Sequence, residues 1–270
     1  MHYDPIKKTL GNLFFRHQTT HKLFYLLLDF MLLRTWHIHR ALKSIANSQS
    51  HKKNLEILDA GCGLGQYSYY MAKKFPHWNI TAVDIKEKEI AICQKFFTKA
   101  GIKNVKFMQR DLSSFVEPIQ YDLILSVDVM EHIEDDQEVL SNLYQSLKPE
   151  GKLLINTPSN LGGSDVGQHN SESFIGEHVR DGYSIEDMTT KLALAGFENI
   201  STKYTYGFAG NLSWRLTMKY PMKALALSKG FLALLPFYYA LALPAIVALN
   251  TADIYIRHKK GTGLQVLATK

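Results

Sequence analysis

Only two cysteines, Cys62 and Cys93, occur in 270 residues. They are too few for a disulfide framework, so a reducing compartment and a cytoplasmic location are expected. The opening residues, M-H-Y-D-P-I-K-K, lack an apolar core followed by a small-residue cleavage site, so no secretory signal is expected. No internal repeat or low-complexity tract is present. Charged residues make up 21% and hydrophobic residues 46% of the chain, a globular balance that argues against disorder. The formal net charge of +6 favours an anionic partner without choosing between nucleic acid and a membrane surface.

From residue 55 to 206, short β-branched or apolar runs alternate with longer amphipathic ones. The pattern predicts strands over 55–59, 80–84, 105–110, 121–127, 152–157 and 197–206, and helices over 66–74, 86–100, 135–147 and 184–195. Such alternation builds an α/β fold, a mostly parallel sheet with helices on both faces. Ligands of these sheets sit at the carboxyl ends of the strands. Upstream, His21 to Ala46 contains L-F-Y-L-L-L-D-F-M-L-L, broken by Asp29 and followed by Arg34. Asp29 in mid-segment makes a membrane span costly by a few kcal/mol. An amphipathic helix over the domain or on a membrane surface fits better.

The first predicted strand runs into L-D-A-G-C-G-L-G, with Gly61, Gly63 and Gly65 at alternate positions. The dinucleotide fingerprint G-x-G-x-x-G would need a glycine at position 66, which is Gln66. Glycine lets the backbone turn tightly and approach a ligand that a Cβ would obstruct. The carboxylate of Asp59 beside that turn is wrong for a pyrophosphate and right for a cationic amino-acid end. Asp84 ends the next strand, where it can take both ribose hydroxyls. Asp111 follows the third, where it can take an adenine amino group. The bland alternative is that Asp84 and Asp111 cap helices. Three acids at successive strand ends describe a site for adenosine with a positively charged tail.

Together with S-V-D-V-M-E-H-I-E-D after the fourth strand and L-K-P-E-G-K-L-L-I-N-T-P around the fifth, these motifs resemble the class I S-adenosylmethionine-dependent methyltransferases, in their small-molecule group. The resemblance covers roughly residues 50–206 plus a last strand at 264–269. It implies a Rossmann-like methyltransferase fold: a seven-stranded, mostly parallel sheet with an antiparallel last strand and helical additions at both ends. It also implies S-adenosyl-L-methionine as cofactor. Asp59 would lie near the methionine amino group, with Gly61, Gly63 and Gly65 against the methionine moiety. Asp84 and its neighbour Ile85 would meet the ribose, Asp111 and Leu112 the adenine, and Val127 would line the pocket by its backbone. Asp128, Glu131 and His132 are open between site and local packing roles. The Asp/Asn-Pro-Pro-Tyr/Phe motif of adenine and glutamine N-methylation is missing. Cyclopropane synthases resemble the chain at Cys62 and at Glu131–His132, but Asn156 stands where they carry a histidine.

The stretch from Asn156 to Tyr183 is long and polar and holds His169, Glu172, Glu177, His178, Arg180 and Tyr183, a composition suited to function. His178, paired with Glu177 or Asp181, is the first candidate for a general base, with a solvated or helix-capping histidine as the alternative. His169, His178 and Glu172 lack tight ligand spacing, so no metal is expected.

Residues 207–262 have no counterpart in a minimal domain, and Gly230 to Ala252 carry no charge. The run is long enough to span a bilayer. A single crossing would separate two strands that should pair. A helical hairpin turning near Pro236 or Pro244, or a lid, is therefore expected, with a dimer interface as another cover. Lys219, Lys223 and Lys229 before the run and Arg257, Lys259 and Lys260 after it suit an anionic membrane surface. They do not interleave with stacking aromatics as a nucleic-acid site requires. The divisions expected are a helical cap at 1–50, the methyltransferase core at 51–206, the apolar insertion at 207–262 and a final strand at 263–270. The function expected is methylation of a lipophilic small molecule, O-methylation ahead of C-methylation, on the inner face of a membrane. The alternatives are a soluble metabolite methyltransferase, with the insertion as lid or dimer surface, and a non-catalytic cofactor-binding scaffold.

Overall fold

The computed structural model describes Phe15 and residues 17–52, 54–162 and 179–270. Two helices come first, α1 (Gln18–Met31) and α2 (Leu33–Ser48), broken at Leu32. The core follows as β1 (Glu56–Ala60), α3 (Gln66–Lys74), β2 (Asn79–Asp84), α4 (Glu87–Lys99), β3 (Val105–Gln109), β4 (Tyr121–Val127), α5 (Asp136–Ser146), β5 (Leu147–Pro158), α6 (Ile185–Leu194) and β6 (Glu198–Thr205). A helical excursion, α7 (Phe208–Trp214), α8 (Tyr220–Leu227) and α9 (Leu235–Tyr255), then leads to β7 (Gly263–Thr269).

Seven strands form one sheet in the order β3-β2-β1-β4-β5-β7-β6. Only β7 runs against the direction of the other six strands. After β3 the chain returns to the other side of β1, so the topological switch point lies between β1 and β4. Sheets of this kind bind ligands outside the strand ends at such a point. β4 sits centrally with Tyr121 to Ser126 all buried, which is why Leu123, Ile124 and Leu125 are apolar in succession rather than alternating with polar residues; the buried Asp122 is paired with Lys52 and Lys148. One sheet face packs Leu58, Ile124 and Ile155 against Leu140 and Leu143 of α5 and Leu192 of α6. The other packs Ile57, Leu125 and Leu154 against Met71 of α3 and Ile38, Leu42 and Ile45 of α2. The second N-terminal helix is thus part of the core layer.

Local chemistry sets the boundaries. Asp135 caps α5 by accepting from the Glu138 amide at 3.1 Å, and Ser184 caps α6 by accepting from the Asp187 amide at 2.9 Å. β5 begins at Leu147, five residues before the predicted start at 152, because Leu147 pairs with Tyr121 across an irregularity in the β4–β5 register. The apolar excursion is a hairpin that turns over the short 3-10 segment Lys229–Leu234, just before Pro236 and well before Pro244. Pro236 occupies the first turn of α9, where its missing N–H is no loss, and α9 continues through Pro244.

Candidate active site

The loop after β1 is built for close approach. Gly61, Gly63 and Gly65 take φ of +81°, +50° and +76°, a region that L side chains adopt with strain. A Cβ on Gly61 would lie 2.3 Å from Cγ2 of Val129, and one on Gly65 would lie 3.0 Å from Cys93 Sγ. The amides of Gly61 and Cys62 both donate to the Val83 carbonyl at 2.9 Å, which ties the loop to the end of β2. Tyr25 of α1 closes it from outside, donating to the Leu64 carbonyl at 2.5 Å.

Asp84 does not cap α4. Its Oδ2 accepts from the Gly63 amide at 2.8 Å and its Oδ1 from the Lys86 amide at 2.9 Å. One carboxylate therefore braces the glycine loop and keeps a second lone pair on each oxygen. Ile85 beside it is exposed, an apolar surface next to the end of β2. Asp111 is exposed and takes both the amide (3.0 Å) and hydroxyl (2.8 Å) of Ser113 on Oδ1, while Leu112 is buried. Val127, half-buried, ends β4 at the switch point. Asp59 is 2% exposed, and Ser68 donates to its Oδ2 at 2.5 Å. Burial pushes the Asp59 carboxyl up to about 7, with Asp84 nearby adding to the rise and the Ser68 hydrogen bonds opposing it. The glycines and the three acids thus converge at the carboxyl ends of β1, β2 and β3. A positive-φ cradle that a Cβ would obstruct, with a buried carboxylate behind it, fits an adenosine bearing a cationic tail.

A second constellation lies beside the first. The guanidinium of Arg34 on α2 pairs with the carboxylate of Asp128, the residue after β4. The Arg34 amide donates to the Tyr206 hydroxyl at 2.8 Å. Asp128 takes φ +53°, which its short polar side chain tolerates. Glu131 is buried and accepts from the Thr157 hydroxyl at 3.0 Å. Burial and then the Asp128 charge push its carboxyl up to about 8, against the Thr157 hydrogen bond and Arg34. The Asp128 charge and the nearby Glu131, Tyr67 and Tyr206 hold the Arg34 guanidinium firmly protonated in spite of burial. This cluster joins the N-terminal helices, the switch point and the root of the excursion. Sequence reasoning missed it because Arg34 and Asp128 are 94 residues apart. Its one signal was a lone arginine after the apolar stretch of α1.

His169, Glu172, Glu177 and His178 lie outside the described residues. Val179, which follows them, donates its amide to the Glu131 carbonyl at 3.0 Å. Arg180 pairs with Asp136, and Tyr183, fully buried, places its hydroxyl 2.7 Å from Asp136 Oδ2. These two residues fix the segment that leads into α6. Among the described residues, no group of three His, Cys, Asp or Glu side chains is arranged to hold a metal ion.

The methyltransferase-domain family model matches residues 51–203. The chain is 36% identical over 119 residues to a malonyl-(acyl-carrier protein) O-methyltransferase of Bacillus cereus, covering 44% of this chain and 43% of that protein. It is 32% identical over 125 residues to a ubiquinone biosynthesis O-methyltransferase of Rickettsia bellii, covering 46% and 50%. The chain thus spans half or less of the length of these relatives. A putative sarcosine dimethylglycine methyltransferase structure from Galdieria sulphuraria superposes with a TM-score of 0.59 at 16% identity, covering 87% of this chain and 84% of that one. Phosphoethanolamine N-methyltransferase 2 of Haemonchus contortus, solved with S-adenosyl-L-methionine, gives 0.57 at 22% identity, covering 81% and 49%. These two likenesses establish the shared fold, and the family match establishes more: the chain belongs to the methyltransferase-domain family of S-adenosylmethionine-dependent enzymes.

Proposed function

We propose that this chain transfers the methyl group of S-adenosylmethionine to a hydroxyl of a lipophilic small molecule, working in the cytoplasm at a membrane face. When bound, the cofactor supplies an electrophilic methyl whose departing sulfide needs no proton. The protein's tasks are to align the acceptor and remove its proton. In this reading Gly61, Gly63 and Gly65 admit the methionine end, with the Asp59 carboxylate behind it. Asp84 takes the ribose hydroxyls with Ile85 beside it, Asp111 takes the adenine amino group with Leu112 beside it, and Val127 lines the floor. The base is His178, helped by Glu177, with His169 in the same loop. In support of this reading, the chain that follows His178 is tied by the Val179 amide to the Glu131 carbonyl.

One observation carries the lipophilic acceptor. The apolar excursion leaves the domain directly after Tyr206, whose hydroxyl belongs to the Arg34–Asp128 cluster at the strand ends. An acceptor reaching the cofactor from that side passes apolar surface. The O-methyltransferase names of the two relatives agree with an oxygen acceptor.

The test is mass spectrometry of an apolar lipid extract incubated with the full chain and methyl-labelled S-adenosylmethionine. A labelled apolar product, with the label on oxygen after fragmentation, is expected. Label only in a water-soluble metabolite pool would replace the lipophilic acceptor with an ordinary metabolite. No label in either pool, with cofactor binding intact, would assign the chain a scaffold role.

A further inference from the structure

We propose that the hairpin of α7, α8 and α9, with the outer face of α1, is a docking surface for an anionic phospholipid bilayer. α9 lies within Gly230–Tyr255, whose mean hydropathy is 2.1 while only 6% of its most apolar stretch is buried in the protein. A helix with no polar face is stable in water only when it is covered. Here Phe208, Leu227, Phe237 and Leu241 are 71–88% exposed. α1 repeats the pattern. Leu23, Leu26, Leu27 and Phe30 are exposed at helical spacing while His21 and Tyr25 on the opposite face are buried. The start of α2 joins the two surfaces, since Leu33 packs against Gly210 of α7. An apolar area this broad is more than a monomer ordinarily leaves to water.

Charge selects the cover. Residues 207–262 hold seven Lys and Arg against one acid, Asp253, so this segment carries the whole formal net charge of +6. Asp253 is fully buried, and the hairpin's surface therefore presents no carboxylate. Arg215, Lys219 and Lys223 recur at every fourth residue of the outward limb, and Arg257, Lys259 and Lys260 follow the return limb. A basic apolar face repels a second copy of itself and attracts anionic headgroups. β6 and β7 pair with Thr205 opposite Gly263, so both limbs join the domain at one end and a single crossing is ruled out. The basic spacing along the outward limb holds the hairpin at headgroup level, with the apolar side chains below.

The proposal deepens the membrane-face part of the proposed function and makes no assumption about the methyl acceptor; its test uses neither acceptor nor cofactor, so membrane docking and methyl transfer can fail separately. The full chain is sedimented with phosphatidylcholine vesicles and with vesicles that also contain phosphatidylglycerol. Binding to the anionic vesicles only, falling as salt rises, is expected. Lys223→Gln with Arg257→Gln should lower partitioning about 25-fold, roughly fivefold for each charge. Leu241→Glu should abolish it while the circular dichroism spectrum and S-adenosylmethionine affinity stay unchanged. Equal binding to neutral vesicles, unmoved by salt, would overturn the anionic assignment. No binding to either, with a solution dimer that Leu241→Glu dissociates, would give the face to a second copy instead.

Discussion

Gly61→Ala tests the cradle most sharply, because two separate costs fall on it. The first is conformational. At φ +81° an L residue is strained by about 1–2 kcal/mol relative to glycine. The second is steric. The new Cβ would meet Val129 at 2.3, 3.0 and 3.2 Å, all three atoms of one β-branched side chain. Such a side chain has little χ1 freedom to retreat, and its backbone follows the left-handed Asp128. Overpacking of this kind costs about 1–3 kcal/mol, so Gly61→Ala should lose about 2–5 kcal/mol in all. Gly63 provides the control. Its φ of +50° carries similar strain, but the nearest atom to a Cβ is the Glu89 carboxylate tip at 3.4 Å. Gly63→Ala should therefore cost about 1–2 kcal/mol. Urea unfolding of both variants, and of Gly61→Ala combined with Val129→Ala, measures the difference. The double-mutant cycle should return a coupling of about 1–3 kcal/mol, the steric part alone. Equal losses at the two glycines, or no coupling to Val129, would refute the close approach of β1 and β4 loops on which the site is built.

Four further outcomes follow from the same geometry. Asp84→Ala removes the bonds proposed to the ribose and frees the Gly63 amide, so calorimetric affinity for S-adenosylmethionine should fall on the order of 100-fold, about 3 kcal/mol. Asp59 titrates at about 7 in the free protein, and the cationic methionine end favours its charged form. Affinity should therefore fall as pH drops below about 7, by up to about tenfold per unit, and Asp59→Asn should flatten that profile in titrations across pH. His178→Ala should lower turnover on the order of 100-fold with unchanged cofactor affinity, as read by steady-state kinetics and calorimetry. Asp253, fully buried, accepts from the Gly207 and Gly210 amides at 2.9 Å and meets His37 Nε2 at 2.8 Å. Burial alone would raise its carboxyl, but the His37 hydrogen bond and the His258 and His37 charges bring it below the usual range. Asp253→Ala leaves those donors buried and unpaired and should cost about 3–5 kcal/mol in a melt. In the wild type that stabilisation is present above the ordinary aspartate pKa and is lost as pH falls through the depressed one.

The core was legible because its signals are local. Each strand predicted from residues 55–206 exists, and α3 matches its predicted bounds, since short β-branched or apolar runs separate from longer amphipathic ones in the sequence itself. That Gly61, Gly63 and Gly65 would lie at one edge with Asp59, Asp84 and Asp111 was readable because strand ends in a parallel sheet share that edge. The early start of β5 was hidden because Leu147 fits the apolar face of α5 equally well, and only its pairing with Tyr121 decides. The turn falls just before Pro236 rather than at Pro244, because α9 accepts Pro244 in its interior. Pro236 is harmless in a first turn, and Ser228 supplies the stop by accepting from the Gly230 amide at 3.2 Å. The Arg34–Asp128 pair and the Asp253 hub link segments far apart in the chain, and no periodicity or motif encodes such tertiary pairings.

The most direct test of the site is a crystal structure of the full chain with S-adenosylhomocysteine. Both ribose hydroxyls should lie within hydrogen-bond distance of Asp84 and the adenine amino group within reach of Asp111. The sulfur should face the end of β4, with the Arg34–Asp128 pair on its far side. Ligand density anywhere else, or a ribose that does not touch Asp84, would contradict the placement of cofactor and acceptor proposed for this chain.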